Sequence, residues 1–163
     1  MVKNKRGVTL VELLIVVAII GILALIFPQI ITATTKLFVL SRAKLELQRE
    51  ARAAMYVVTR EIRQAQSNSI TIDQIGGQPY FSRITFTMIQ GTTVSIAQTG
   101  KSLILTEGIT STTLSQNLEY LSFTFPRSDD LTIVSVSMTL QEQIYNGLYK
   151  ALHMASEKIR VMN

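Results

Sequence analysis

Residues 8–27 form a run of twenty residues that contains a single charged side chain, Glu12. As a helix rising about 1.5 Å per residue, this run is about 30 Å long, which matches the hydrocarbon core of a bilayer. The run follows Gly7 and, before that glycine, a basic cluster: Lys3, Lys5 and Arg6. The stretch therefore predicts a membrane helix, and a carboxylate inside an apolar segment requires an explanation.

The remaining composition limits what the rest of the chain can be. After the membrane segment, a chain of 163 residues has room for one folded domain of about 100 residues. The absence of cysteine excludes disulfides and thiolate metal sites. From Ser67 onward, six Lys and Arg residues face seven Asp and Glu residues, a balance of −1. A head that binds nucleic acid is usually basic, so this composition does not favour that function.

Three interpretations of the amino terminus compete. A secretory signal cleaved after the apolar run fits the basic start, but such signals have an apolar region of about 7–15 residues. An uncleaved anchor explains the basic cluster, since positive residues hold a segment in the cytoplasm, but gives no role to Glu12. In the third interpretation the chain is cut between Gly7 and Val8, and the apolar helix is retained.

The residues K-R-G-V-T-L-V-E-L-L-I-V-V-A-I-I-G-I-L carry a resemblance that favours the third interpretation. They resemble the class III signal of type IV pilins and of the pseudopilins of type II secretion. The resemblance implies that a prepilin peptidase cuts after Gly7 and methylates the new amino terminus at Val8. Glu12 would then be the fifth mature residue. Val8 departs from the family, which usually has phenylalanine at this position.

Glu12 has two interpretations. Thr9-Leu10-Val11-Glu12 has the form of a capping box, in which the Glu side chain closes the first helical turn. Alternatively, Glu12 pairs with a positive group, because a charge deep in a bilayer costs at least about 2.5–3.5 kcal/mol. Cleavage after Gly7 creates such a group, the amine of Val8, on the same or a neighbouring subunit. This pair would set the register of subunits in a filament.

The pattern after the apolar run predicts that the helix continues. Pro28 removes one backbone donor and predicts a kink. Small and apolar residues then recur every three or four positions: Leu40, Ala43, Leu47, Ala51, Ala54, Val58, Ile62 and Ala65. We expect one helix over residues 8–66, with this face on a sheet. The basic residues within 36–63 fit a solvated face, and contact with another subunit or anionic lipid headgroups is the alternative.

After Ser67 the composition changes to Val, Ile, Thr, Phe and Ser broken by turn residues, which predicts strands. The expected strands are Ser69–Asp73, Phe81–Gln90, Thr92–Ala97, Ser102–Thr106, Leu118–Pro126, Leu131–Leu140 and one within Tyr149–Val161. A long helix on an antiparallel sheet is an α+β fold, which agrees with the pilin-like fold that the resemblance implies. Residues 50–65, the β-rich head and the closing residues 158–163 also resemble minor pilins of the W and J type.

The head contains no motif that predicts catalysis. Asp129-Asp130 could form half of a calcium site, but adjacent acids in a turn are more often solvated. His153, the one histidine, lies in an apolar stretch and is expected to be a strand residue. Gly76-Gly77 is too short to form a phosphate loop. We expect no enzyme activity, no cofactor and no metal site.

Together these features predict a structural, non-enzymatic subunit of a type IV pilus or a type II secretion pseudopilus, with a minor subunit favoured. The expected parts are a cleaved leader (1–7), a transmembrane and filament-core helix (8–28), its amphipathic continuation (29–66) and a β-rich head (67–163). The expected partners are prepilin peptidase, other pilins or pseudopilins, the lipid bilayer and, indirectly, an inner-membrane assembly platform with its ATPase. No small-molecule substrate is expected, and nucleic acid is left open.

The expected location is the bacterial inner membrane, crossed once with the head outside the cytoplasm, followed by the pilus or periplasmic pseudopilus. An uncleaved, membrane-anchored binding module is the alternative function, and an exported soluble enzyme is a third. Adhesion, twitching, DNA uptake and protein secretion share this type of start, so the residues do not select among these machines.

Overall fold

The fold was determined as a computed structural model that describes residues 9–78, 81–145 and 147–162. The chain divides into two compact units, residues 1–41 and 42–163. The helix α1 runs over Leu10–Arg63 and contributes to both units. The helix is expected from the sequence because no glycine or proline interrupts residues 29–75.

In the first unit, α1 buries nothing: every residue from Thr9 to Phe38 is exposed. In the second unit, the helix buries one face against the strands. The buried residues of this face are Ala43, Leu47, Ala51, Ala54, Met55, Val58, Thr59, Glu61 and Ile62. The sequence pattern predicted six of these positions, and the alanines keep the helix backbone close to the sheets.

The helix ends at Arg63, earlier than the expected Gln66. The amides of Gln64 and Ala65 bond three residues back, to Glu61 and Ile62, which tightens the last turn. Ala65 then forms a bridge with Met88, and the Gln66 amide donates to the Thr87 carbonyl at 2.9 Å. Pairing with Thr87 and Met88 therefore ends the helix before another turn forms.

Within the described residues, eight strands form two antiparallel sheets. The first sheet has the order β1-β2-β3-β4-β5, and the second has the order β6-β7-β8. A single 3-10 turn at Ser67–Ser69 leads into the first sheet. The strands are β1 Thr71–Asp73, β2 Arg83–Thr87, β3 Thr93–Thr99, β4 Ser102–Glu107, β5 Thr110–Ser115, β6 Leu118–Thr124, β7 Ile133–Ile144 and β8 Tyr149–Arg160.

The two sheets are joined along β6. The Leu118 amide donates to the Lys101 carbonyl at 2.8 Å, and the Phe123 amide donates to the Phe81 carbonyl at 2.9 Å. Alternate strand residues point inward and are buried, including Phe86, Ile96, Leu105, Phe123, Val136 and Met138. With the buried face of α1 they form the core, so the expectation of an α+β fold is confirmed.

The strand predictions were partly wrong in extent. β5 was missed because Thr110-Ser111-Thr112-Thr113 is polar and exposed on both faces, which leaves no apolar alternation to detect. β2 is shorter than the expected Phe81–Gln90, because Met88 turns away to pair with Ala65. β7 begins two residues later than expected and continues to Ile144, since its hairpin with β8 extends the pairing.

A carboxylate also fastens the helix to the head. Glu50 accepts hydrogen bonds from the Gln116 amide at 3.1 Å and from Asn117 Nδ2 at 2.9 Å. Partial burial raises the pKa of Glu50, but the hydrogen bonds from Asn117, Ser115 and Gln116 outweigh this effect, so the pKa lies below its usual 4.5. Glu50 thus links α1 to the turn between β5 and β6.

A matched pair of leucines tests the packing of α1. Leu47 is fully buried, whereas Leu45, two residues away, is 56% exposed. We expect Leu47→Ala to reduce the free energy of unfolding by about 2–5 kcal/mol, because it leaves a cavity. Leu45→Ala should change it by less than about 0.5 kcal/mol. Urea unfolding of the full chain in detergent, followed by circular dichroism, measures both, and equal losses would contradict the burial of this face.

Glu50 gives a pH-dependent prediction. Because its pKa is lowered in the fold, its contribution is present above pH 4.5 and is lost as the pH falls through the folded pKa. We expect Glu50→Ala to cost about 1 kcal/mol at pH 7, allowing for solvent screening, and to reduce the loss of stability between pH 7 and 3. The exposed Glu46→Ala is the control. An unchanged pH profile in Glu50→Ala would refute this role.

Candidate functional site at the start of the helix

The described chain starts at a closed capping box. The Thr9 amide donates to Glu12 Oε2 at 2.8 Å, and Thr9 Oγ1 donates to the same oxygen at 2.9 Å. In return the Glu12 amide donates to Thr9 Oγ1 at 3.3 Å. These bonds satisfy amides at the first turn that have no partner within the helix. These hydrogen bonds have the geometry that the capping interpretation of Glu12 requires.

This geometry does not use the whole carboxylate. Both bonds from Thr9 reach Oε2, and among the described residues Glu12 Oε1 has no hydrogen-bond partner. A carboxylate can accept about four hydrogen bonds, so Oε1 is free to take a second donor. Capping by Thr9 and pairing with an amine can thus occur at the same carboxylate. The expected partner residue, Val8, and the expected cleavage residue, Gly7, lie outside the described residues.

The surface that follows Glu12 is apolar on all sides. Its large aliphatic and aromatic side chains are 46–75% exposed from Leu10 to Phe27. A helix that is apolar all round is stable only when surrounded by lipid or other protein. By length and composition α1 can cross a membrane, and none of its most apolar stretch is buried within the chain. This segment therefore requires a nonpolar environment that the chain does not supply.

Pro28 lies inside α1, and the helix is assigned without interruption through it. Proline has no amide hydrogen, so the carbonyl of Ala24 lacks its usual helical donor. The predicted kink itself stays a prediction.

Three threonines after Pro28 were missed as a feature of the sequence. Thr32, Thr34 and Thr35 each donate a hydroxyl to the helix carbonyl of Gln29, Ile30 or Ile31, at 2.8–2.9 Å. Such bonds satisfy hydroxyl groups in a nonpolar setting and tend to bend helices. The close spacing of threonines after an apolar run is the sequence signal that could have indicated these hydroxyl bonds.

The remaining candidate residues do not come together. The Asp129 carboxylate is bonded by Arg127, which lowers the pKa of Asp129, and bonds from Thr132 lower the pKa of Asp130. His153 lies in β8 opposite Leu140, as a strand residue. Within the described ranges, no three His, Asp or Glu side chains are grouped so that they could hold a metal ion.

Comparison with protein families identifies the amino-terminal segment. Residues 2–27 match the model of the prokaryotic N-terminal methylation motif, which is a prepilin-type signal. No curated protein and no solved structure matches the chain. The signal is consistent with the type IV pilin and pseudopilin family, whose members are structural proteins. Together with the long apolar helix on antiparallel sheets, it makes the architecture pilin-like.

Proposed function

Given a prepilin-type signal at residues 2–27, we propose that this chain is a structural subunit of a type IV pilus or a type II secretion pseudopilus, and a minor one. The observation that carries the proposal is the apolar helix surface of residues 10–27, which the chain leaves uncovered. Neighbouring helices in a filament would cover this surface, and lipid would cover it before assembly. A helix that served only as a membrane tether would need contact with lipid, but it would need neither the prepilin-type signal nor Glu12.

In the proposed pathway, the basic cluster holds the leader in the cytoplasm while the head is exported across the bacterial inner membrane. Prepilin peptidase then cuts after Gly7 and methylates Val8. The helix over residues 8–28 leaves the bilayer for the filament core, and residues 67–163 form the head outside. A partner ATPase acting through the assembly platform drives this step. The chain itself acts without enzymatic activity.

Glu12 connects the membrane state and the filament state. Before cleavage its carboxylate caps the helix through Thr9, which lowers the cost of placing it near the membrane surface. After cleavage the amine of Val8 on a neighbouring subunit bonds the free oxygen. Because charge pairs strengthen where water is excluded, this bond sets the axial position of the incoming subunit.

Substitutions at Glu12 and Thr9 separate capping from pairing. Glutamine also closes a capping box but carries no charge, so Glu12→Gln keeps the cap and removes the ion pair. Thr9→Ala removes the cap hydroxyl and keeps the charge. We expect Glu12→Gln to lower incorporation into sheared filaments at least tenfold, and Thr9→Ala to lower it less than threefold. The measurement is quantitative immunoblotting of filaments against membranes.

Membrane levels of each variant are the control, since equal levels exclude a defect in insertion. If Glu12→Gln enters filaments like the unsubstituted chain and Thr9→Ala does not, Glu12 is a cap and the pairing role is wrong. If Glu12→Gln and Glu12→Leu both assemble normally, the pairing role of Glu12 is wrong. If no filament or pseudopilus contains the chain, the tethered binding module is the better account.

A further inference from the structure

The second sheet ends in a long strand with one side unpaired. In the described part of the chain, β8 pairs with β7 over twelve residues and with no strand on its other side. Exposed strand edges present free amides and carbonyls that can bind another strand. Proteins often protect such edges with lysine, and β8 has Lys150 and Lys158 near its two ends. In the middle of the strand, the Leu152 side chain is 53% exposed and the Met154 side chain is 73% exposed.

The hydrogen-bond pattern identifies which backbone groups of β8 are free. The Val161 amide donates to the Thr132 carbonyl at 2.8 Å, one step beyond the Ile133–Arg160 pair. Bonds in an antiparallel ladder occur at alternate pairs, so the even-numbered residues of β8 direct their amides and carbonyls away from β7. These residues are Lys150, Leu152, Met154, Ser156, Lys158 and Arg160.

A second hydrogen bond agrees with this assignment. The Gln141 amide donates to the Asn117 carbonyl at 2.7 Å, on the β6 side of β7. Because the Gln141 amide points toward β6, Gln141 and the residue opposite it on β8, Leu152, do not bond each other. The backbone of Leu152 therefore also points outward.

A groove of about 770 Å³ lies between the free edge of β8 and helix α1. Arg52, Tyr56 and Arg63 line it on the helix, and Glu157 lines it on β8. The sheet stops before it covers this side of the helix, so Tyr56 is 69% exposed. A further strand paired with β8 would direct every second side chain into the groove, onto Met55 and Tyr56.

The charges around this edge select the partner. Arg52 and Arg63 line the groove, together with Arg60, which is paired with Glu61. The acidic residue of the lining is Glu157, which accepts a hydrogen bond from the Thr59 hydroxyl at 3.1 Å. Within the described residues, Arg52, Arg63 and Lys158 form no ion pair. The edge and groove together are therefore basic with an apolar floor. An extended segment with apolar residues on one face and acidic residues on the other complements them.

A second copy of this chain does not offer such a segment. Pairing two β8 strands antiparallel would bring the basic ends of both strands into one sheet, which like charges disfavour. Among the described strands the other sheet edges are β1, β5 and β6, and β6 is bonded in part to the first sheet, which leaves β1 and β5. β5, Thr110–Ser115, has no acidic residue, and β1 has Asp73, which is bonded to Arg83.

We propose that the free edge of β8 binds an extended, acidic segment of a different protein, which adds a fourth strand to the sheet β6-β7-β8. The bound strand pairs with the outward backbone groups from Leu152 to Lys158. Its apolar side chains fill the groove beside Tyr56, and its acidic side chains lie near Lys150 and Lys158. This is strand addition, in which the backbone gives affinity and the side chains give selectivity. The proposal is independent of the filament role.

The test uses the full chain in detergent micelles and two fluorescent ten-residue peptides, one alternating Val and Glu and one alternating Val and Lys. Fluorescence anisotropy measures binding, with empty micelles as the blank. We expect the Val-Glu peptide to bind at least tenfold more tightly than the Val-Lys peptide. Amide hydrogen exchange should slow at Leu152, Met154 and Ser156 when the Val-Glu peptide binds.

Substitutions locate the binding at the edge. Ser156→Pro removes an outward amide without removing a bond to β7, so it should weaken Val-Glu binding at least tenfold. Ser156→Ala is the matched control, because it also loses the bond to the Ser137 hydroxyl but keeps the amide. Arg52→Glu should weaken binding at least threefold, and Lys101→Glu, in the β3–β4 turn, should not.

Equal binding of the two peptides, no binding of either, or unchanged exchange at the three amides would overturn the proposal. Unchanged affinity in Ser156→Pro would overturn it as well, with thermal unfolding of Ser156→Pro and Ser156→Ala confirming that both are folded. If Ser156→Pro does not fold, the exchange data and Arg52→Glu decide. Dimers of the chain that Lys158→Glu strengthens would indicate a second copy instead.

Discussion

The uncovered apolar surface of α1 is the constraint on which the rest of the structure depends. Burying one large apolar side chain contributes about 1.5–3 kcal/mol, and the helix leaves all such side chains from Leu10 to Phe38 exposed. No rearrangement within the first unit removes that cost, because its described residues form a single helix with no second element to pack against. The segment is therefore stable in lipid or among other helices. Glu12, a charge at the start of such a segment, is tolerated because Thr9 satisfies one of its oxygens.

The second unit, in contrast, covers many of its own apolar side chains, and this packed core must stabilise it without disulfides. Its helix packs three alanines and four larger apolar residues against two sheets, and Glu50 adds a directional contact. The helix therefore differs along its length. Its first part leaves its apolar side chains exposed, and its second part buries one face against the strands. Where the strands end, at β8, part of the helix remains uncovered beside Tyr56. The incomplete sheet and the uncovered helix are thus one feature of the head.

Much of this fold could be predicted from the sequence because the patterns are strong and local. The twenty-residue apolar run and the three- or four-residue spacing of the buried face both predict a helix. β5 could not be predicted, since its threonines are exposed and show no apolar alternation, although it forms a hairpin with the preceding strand, β4. The exact helix end also depended on a tertiary contact, the Ala65–Met88 bridge. The basic groove beside β8 combines residues from two distant segments, and no local pattern indicates it.

The central claim is that the apolar helix is retained after removal of a leader and passes into a filament. Intact-mass spectrometry of the chain, isolated from membranes and from sheared filaments of the same cells, tests it most directly. We expect one amino terminus at Val8 carrying one methyl group in both fractions, and a terminus before Gly7 in cells without prepilin peptidase. A chain that still begins at Met1 in cells with the peptidase, or that begins after Phe27, would contradict it.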